Sequence, residues 1–407
     1  MRPASFSFVM TERWGSQSEL ALLKRGDPLL RGSLRERSPP WVFLYYGVPY
    51  YRVPFFQKRC YSTTSHRFTE AWGSTYDRRF RTMITHRIAV IGAGSMARHR
   101  GQALLDTGRT KICAVASRRL APARDCAGAL GCEVAFDDYR KIAQTKPDAV
   151  LIEVPHLPQD EMTLWALAAG YDVFVGGNLA VNSQIGTQIV ELAADNGCLV
   201  EAGFQRRYDA AWEEIHRLVH DRELGEPIMA VTMALWLAPA DSWYANQLVS
   251  GGMPLTHMSY CYLNAIRWIL GAPTVVSALA STGVLGEAGR VQEETCAALV
   301  GFDNGAFLSA TASYIRPEKM TDAEPRFVCS AGGIQADGDT LTVFRGAQSE
   351  IRSFEAEPSA FVRQAHAFLD AVESRTAARN PPVDALLDLR IAEAISLSAR
   401  QQRTVTL

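Results

Sequence analysis

The segment RIAVIGAGSMA at residues 87–97 decides how this chain folds. RIAVI reads as a short buried strand, and GAGSMA follows it at once and opens a helical stretch at 95–107. Each position of the turn has a mechanical task. Gly92 permits the tight reversal, Gly94 lets the backbone approach a pyrophosphate, and Ala97 stands where a third small residue lets helix pack on strand. Ser95 and Met96 begin the helix, whose N-terminus offers unpaired N–H groups and a positive dipole end to phosphates. The spelling G-x-G-x-x-A alone is weak; its strand–turn–helix setting makes it a dinucleotide-binding turn.

Working outward, the pattern continues to alternate. KICAVA, EVAF, DAVLIEV, DVFV and CLVEAG repeat the strand signal, with an alanine-rich helix and helical stretches near 160–169 and 183–196 between them. Strands separated by helices of this length imply right-handed crossovers and a parallel sheet, an α/β Rossmann domain over 83–206. Beyond Pro227 longer strand-like runs follow one another: PIMAVTMALWL, TVVSALAS, TCAALVGF, GAFLSATASY and RFVCSAGG. One amphipathic helix near 258–270 interrupts them and a last helix runs near 361–373. This predicts an α+β C-terminal domain over 207–407 with a large, mostly antiparallel open sheet.

Residues 1–82 differ from all that follows. They carry fourteen Lys/Arg against six Asp/Glu, with aromatics and prolines in no helical or strand period. Met83 then stands directly before the first strand. Three readings stay open for this extension: a start assigned too far upstream, a cleaved organelle-targeting segment, or a disordered arm. RCYSTTSHRF suits the second, while Glu12 and Glu19 count against it.

Net charge is −1, with 47% hydrophobic and 21% charged residues, so nothing in the composition argues for nucleic acid or an anionic membrane as partner. The eight cysteines form no C-x-x-C and no metal-ligand cluster, which predicts no metal and a reducing, cytoplasmic setting unless the extension redirects the chain. The uncharged stretch 268–286 contains Gly271, Pro273 and Gly283, and reads as helix end, loop and strand rather than a membrane span.

The residues after the second strand select among dinucleotides. NAD sites usually place Asp or Glu there to accept from the ribose hydroxyls; this chain has Ser117, Arg118 and Arg119. A hydroxyl and two guanidinium forks suit a 2′-phosphate, and no carboxylate repels it there. The expected cofactor is NADP(H).

GAGSMA, KPDAVLIEVP, AGFQRRYDAAWEEIHRLVHDRELGEP, GGMPLTHMSYCYLNAIRWILG, CSAGGIQADG and the terminal run ending in IAEAISLSARQQR occur in that order. With these motifs, residues 87–407 resemble the Gfo/Idh/MocA oxidoreductases. The resemblance implies hydride exchange between NAD(P) and a sugar, cyclitol or related carbonyl. It also implies a lysine in a Glu-Lys-Pro motif, and an Asp and a His four residues apart on the helix of the second domain. An open sheet face of this kind often joins subunits, so a homodimer or homotetramer is expected.

This chain departs at all three catalytic places. Gly176, Gly177 and Asn178 stand where the family has Glu-Lys-Pro, His257 stands at the Asp position and Cys261 at the His position. Two readings follow. One is a catalytically degenerate NADP-binding regulator or scaffold. The other is a reductase, or dehydrogenase in reverse, for a carbonyl, imine or activated alkene that needs less acid–base help. For the second, His257 is the candidate proton donor and Tyr260 a neighbouring one; Cys261 reads as a packing residue whose neutral thiol is a poor acid at neutral pH. Pro155, His156 and Gln205 are expected to face the cofactor. Arg206, Trp236, Trp243 and Tyr244 are expected around the substrate, and these aromatics suit a flat or apolar molecule better than a polyol.

Overall fold

Hydrophobic runs of two to seven residues build the first sheet of the computed structural model, which describes residues 85–239, 241–281, 291, 293–315 and 323–407. The extension at 1–82 lies outside the described residues. Six parallel strands, β1 (His86–Ile91), β2 (Thr110–Ala116), β3 (Ala135–Phe136), β4 (Ala149–Ile152), β5 (Asp172–Val175) and β6 (Val200–Ala202), lie in the order β3-β2-β1-β4-β5-β6. Helices α1 (Ser95–Asp106), α2 (Leu120–Ala129), α3 (His156–Ala168) and α4 (Ser183–Asp195) provide the crossovers. β4 and β5 are buried at every position, as strands covered on both faces must be. The order reverses between β1 and β4, so the crevice for a ligand opens at their C-terminal ends.

After α5 (Ala210–His220), a nine-stranded sheet forms the second lobe. Its strands are β7 (Pro227–Leu235), β8 (Pro273–Ser281), β9 (Thr295–Phe302), β10 (Phe307–Ser313), β11 (Ala323–Cys329), β12 (Gly332–Asp337), β13 (Thr340–Arg345), β14 (Gln348–Ser353) and β15 (Val405–Thr406). They run in the order β14-β13-β12-β11-β7-β10-β9-β8-β15. Every pairing is antiparallel except β7 with β10, which is parallel. Between β7 and β8 lie α6 (Gln247–Ser250), a π-helix at Pro254–Leu263 and α7 (Asn264–Leu270). The stretch near 258–270 is thus helical as the sequence suggested, but its first half is wound as π, a form that recurs at functional sites.

The last two helices correct the simple division at residue 206. The helix expected near 361–373 is α8 (Ala360–Ser374), and it leaves the second lobe to pack on the first. Ala365, Phe368 and Leu369 join the core beneath α1, and Arg109 of the first lobe reaches Asp370 and Glu373 at 2.7 Å each. α9 (Pro382–Gln401) has no counterpart in the sequence expectation. Ala385, Leu386, Leu389 and Ala392 enter the first lobe's core while Ile391, Ala394 and Ile395 enter the second's. A helix wedged between two cores is apolar on more than one side, which erases the one-sided period that reveals a surface helix.

The wedge is fastened by buried charge. Arg267 pairs with Asp388 at 2.6 Å and Asp384 at 2.8 Å, and Arg207 pairs with Asp384 and donates to Asn264 at 2.8 Å. α7 therefore cannot shift against α9 without stranding a buried ion, at a cost of about 3–5 kcal/mol. This fixes the π-helix just before it.

Candidate active site

A cleft of about 650 Å³ runs along the C-terminal edge of the first sheet. Gly92, Gly94, Ser95, Met96, Ala97, Ser117, Arg118, Arg119 and Pro155 all line it, together with Trp243 and Tyr244 from the second lobe. The turn is shaped by neighbours as much as by its own residues. Gly92 has φ +128°, and a Cβ there would run into the backbone carbonyl of Glu153 on the adjacent strand end. At Gly94, by contrast, a Cβ would meet nothing within 4 Å. Gly94 is the N-cap of α1, makes no side-chain cap, and no acidic residue stands in the first turn. Free N–H groups facing open space fit the pyrophosphate of a dinucleotide.

At the far end, Ser117 donates to the Arg119 carbonyl at 2.8 Å, which folds the loop so that both arginines stand exposed at the rim. Asp137 and Asp138 share this end of the cleft and escaped the sequence reading. Each is engaged locally: Asp137 pairs with Lys141 at 2.7 Å, and Asp138 accepts from the Arg140 backbone at 3.0 Å.

Gly176–Asn178 lie beside Glu153, outside the cleft lining. Gly177 has φ +73°, and a Cβ there would coincide with the Tyr260 hydroxyl. A Cβ on Gly176 would fall inside the Glu153 carboxylate. The space that two side chains would need at 176–177 is thus filled from β4's end and from the π-helix. The Tyr260 hydroxyl donates to the Gly176 carbonyl at 3.2 Å. Burial holds its pKa well above the ordinary 10, with Tyr244 and Glu153 adding in the same direction, so the phenol stays protonated. Tyr244 is pushed to about 12, mainly by burial and then by Glu153 and Cys261.

Loop 176–182 is anchored on α3. Gln159 donates to the Asn178 carbonyl at 2.7 Å, the Asp160 carboxyl accepts from Val181 N–H at 3.1 Å, and the Asn178 amide donates to Leu255 at 2.8 Å. His156, expected to face the cofactor, is instead turned away: it is 1% exposed, and its Nδ1 lies 2.8 Å from the Ser250 carbonyl. Burial lowers its pKa to about 4, so it is neutral and donates to that carbonyl. It ties α3 to the segment that carries Trp243 and Tyr244 into the cleft.

The π-helix places His257, Tyr260 and Cys261 within one turn, and neither these three nor Trp236 are in the cleft lining. His257 Nδ1 and Cys261 Sγ lie 3.6 Å apart, and Cys261 packs against the second lobe's core. Rings surround them: Trp236 lies 5.8 Å from His257 and 5.1 Å from Tyr244, Tyr244 stacks on Trp243 at 4.0 Å, and Tyr260 lies 6.3 Å from His156. Gln205 and Arg206 are placed differently from expectation. They open a 3₁₀ turn at Gln205–Tyr208 outside the cleft lining, and the Arg206 guanidinium rests over Tyr262 and Trp212 at 4.6 and 5.4 Å. Two core aromatics offer that cation a better seat than the cleft does.

Glu153 and Arg100 are the pair that sequence reading missed. They form an ion pair with side chains 9% and 2% exposed, and Arg100 also donates to Gln364 at 2.8 Å and to the Gly203 carbonyl. The available signal was a charged residue inside the apolar run DAVLIEV and an arginine on the inner face of α1.

Among known proteins, the family model described as "Oxidoreductase family, NAD-binding Rossmann fold" matches residues 86–204. The GFO/IDH/MocA C-terminal domain matches residues 212–335. D-glucoside 3-dehydrogenase of Escherichia coli (strain K12) is 26% identical over 245 residues, covering 56% of this chain and 70% of the relative. Inositol 2-dehydrogenase 4 of Saccharopolyspora erythraea is 30% identical over 146 residues, covering 35% of this chain and 43% of its own length. The solved structure of levoglucosan dehydrogenase with NADH and levoglucosan shares the fold, with a TM-score of 0.74 at 17% identity over 79% of this chain and 99% of that one. Among the described residues no helix is long and apolar enough to cross a membrane.

Proposed function

The chain belongs to the GFO/IDH/MocA family of oxidoreductases, and on that premise we propose that it is an NADP(H)-dependent oxidoreductase whose proton is carried by the Tyr260 phenol where relatives use a lysine. The carrying observation is the overlap between that phenol and the side chain Gly177 lacks. A side chain at 177 would be strained by the positive φ and would meet the Tyr260 ring as it stands.

Bound dinucleotide supplies or takes the hydride at the nicotinamide ring. The chain's own work is the rest. α1's N-terminus and Gly92–Gly94 would hold the pyrophosphate, and Arg118, Arg119 and Ser117 would receive a 2′-phosphate at the adenosine end. Tyr260, protonated across the working pH range, gives its proton to the oxygen or nitrogen of a substrate being reduced, and the Asn178 backbone N–H supports the phenolate left behind. His257, with Cys261 beside it, stands within one helical turn of Tyr260.

Trp243 and Tyr244 line the cleft, so the substrate is a small ring compound with an apolar face, sugar-like or a secondary metabolite, bearing a carbonyl, imine or activated alkene. Dehydrogenases of a glucoside and of inositol among the relatives support the sugar-like form. The second lobe's outer sheet face exposes Ile228, Leu279, Leu299, Phe344 and Ile351, which suits pairing with a second copy of the chain, as a dimer or tetramer.

The test is to titrate NADPH and NADH by fluorescence, then follow oxidation of the reduced dinucleotide with a panel of cyclic ketones, imines and enals. Tighter NADPH binding and turnover of a ring substrate are expected. Binding without turnover across the panel would favour the regulator reading, and tighter NADH binding would remove the role given to the two arginines.

A further inference from the structure

The direction of the dinucleotide across the cleft follows from its ends. With a dinucleotide's pyrophosphate at Gly92–Ala97 and its adenosine at Ser117, Arg118 and Arg119, the nicotinamide half would run past the end of β4 toward Trp243 and Tyr244. Glu153 lines that stretch, while Arg100 is absent from the lining and lies beneath it. Gln364 and the Gly203 carbonyl hold the guanidinium in place. Burial pushes the Glu153 carboxyl above the usual carboxylate range and Arg100 pulls it back down; the pair with Arg100 makes a dipole whose carboxyl end belongs to the residue that lines the cleft.

The oxidised nicotinamide ring carries a positive charge and the reduced ring carries none. A fixed negative end in a wall of low dielectric attracts the first and leaves the second almost unaffected. We infer that Glu153 sets which redox form of the dinucleotide this chain holds, favouring the oxidised form. The inference rests on the reading of the cleft as a nicotinamide-dinucleotide site. It gives that reading a direction, because tighter holding of the oxidised form pulls the bound equilibrium toward reduced substrate.

A merely space-filling role is the competing account, since the Glu153 carboxylate occupies the room beside Gly176. Glu153→Gln keeps the volume and the capacity to accept from Arg100, and removes the charge. Dissociation constants of the full chain for NADP+ and NADPH, wild type against Glu153→Gln, separate the two. The ratio of the NADPH constant to the NADP+ constant is expected to fall about tenfold in the variant, mostly through weaker NADP+ binding. That corresponds to about 30 mV in the potential of the bound two-electron couple. A ratio within twofold of wild type, with both forms still binding, overturns the inference and leaves the cofactor reading standing. Failure of the wild-type chain to bind either form overturns both. Circular dichroism reports whether the variant folds, and Glu153→Ala is measured by the same ratio where the glutamine variant does not.

Discussion

The Gly92–Ala97 turn and the Gly176–Asn178 loop were built under different rules. At Gly92–Ala97 recognition is done by backbone: N–H groups, a helix dipole, and glycines that keep the chain out of the way. Such a site tolerates little movement, because a Cβ at Gly92 meets a neighbouring strand's carbonyl rather than a side chain that can yield. At Gly176–Asn178 the space is filled by side chains from elsewhere in the fold. The Glu153 carboxyl stands where a Cβ on Gly176 would, and the Tyr260 hydroxyl where one on Gly177 would. The lesson is that a backbone-built turn shows itself as a motif, while a space filled by distant side chains shows itself only in the fold.

Substitutions can break this contrast, beginning with the strongest. Gly92→Ala places a Cβ against the Glu153 carbonyl at φ +128° and is expected to abolish dinucleotide binding, with a stability loss of about 3 kcal/mol. Wild-type affinity in that variant, by isothermal titration, would mean the backbone turn is not the binding element. Next comes Gly177→Ala, expected to cost about 2–4 kcal/mol by denaturant melts from the Tyr260 overlap and the positive φ together. Adding Tyr260→Ala relieves the overlap and leaves the φ, so a double-mutant cycle should show about 1–3 kcal/mol of favourable coupling. Additivity would show that the two residues do not share one volume.

The adenosine end sharpens the comparison further. Replacing Arg118 and Arg119 together by alanine is expected to weaken NADPH by about tenfold to a hundredfold, two exposed charge-assisted contacts' worth. NADH binding should stay within about threefold. Equal losses for both would assign the arginines to the pyrophosphate or to the fold.

The smallest effect concerns the anchor of the reaction-end loop. Burial raises the Asp160 carboxyl to about 7 while it accepts from Val181 N–H. The folded state therefore keeps a proton that the unfolded state loses, and stability falls as pH rises from about 4 to about 7, then levels. Asp160→Asn retains the acceptor oxygen. It should match wild type near pH 4 and be more stable above pH 7, by roughly 1–3 kcal/mol in thermal melts. A difference that does not change with pH would show that Asp160 is ionised in the fold.

How far the sequence carried follows the same division. The strand–turn–helix at 87–97 was legible because backbone geometry demands particular residues at fixed spacing. The alternation behind it was legible because buried parallel strands are continuous apolar runs. α9 was not, since burial against two cores leaves no single apolar face. The π winding of Pro254–Leu263 was not, because apolar spacing in ten residues cannot separate π from α. Glu153 escaped because its partner Arg100 is distant in sequence and meets it only through the fold. Arg206 shows the reverse error: a cation at the end of β6 suggested a ligand, and two buried rings had already engaged it.

The claim that the reaction end was rebuilt rather than lost is tested most directly by the turnover rate of Tyr260→Phe, measured alongside its NADPH affinity. The substitution removes one oxygen and keeps the ring packed against Phe204 and His156. The account predicts a fall in kcat of about a hundredfold or more with NADPH affinity within twofold of wild type. A variant that turns over at the wild-type rate would contradict it.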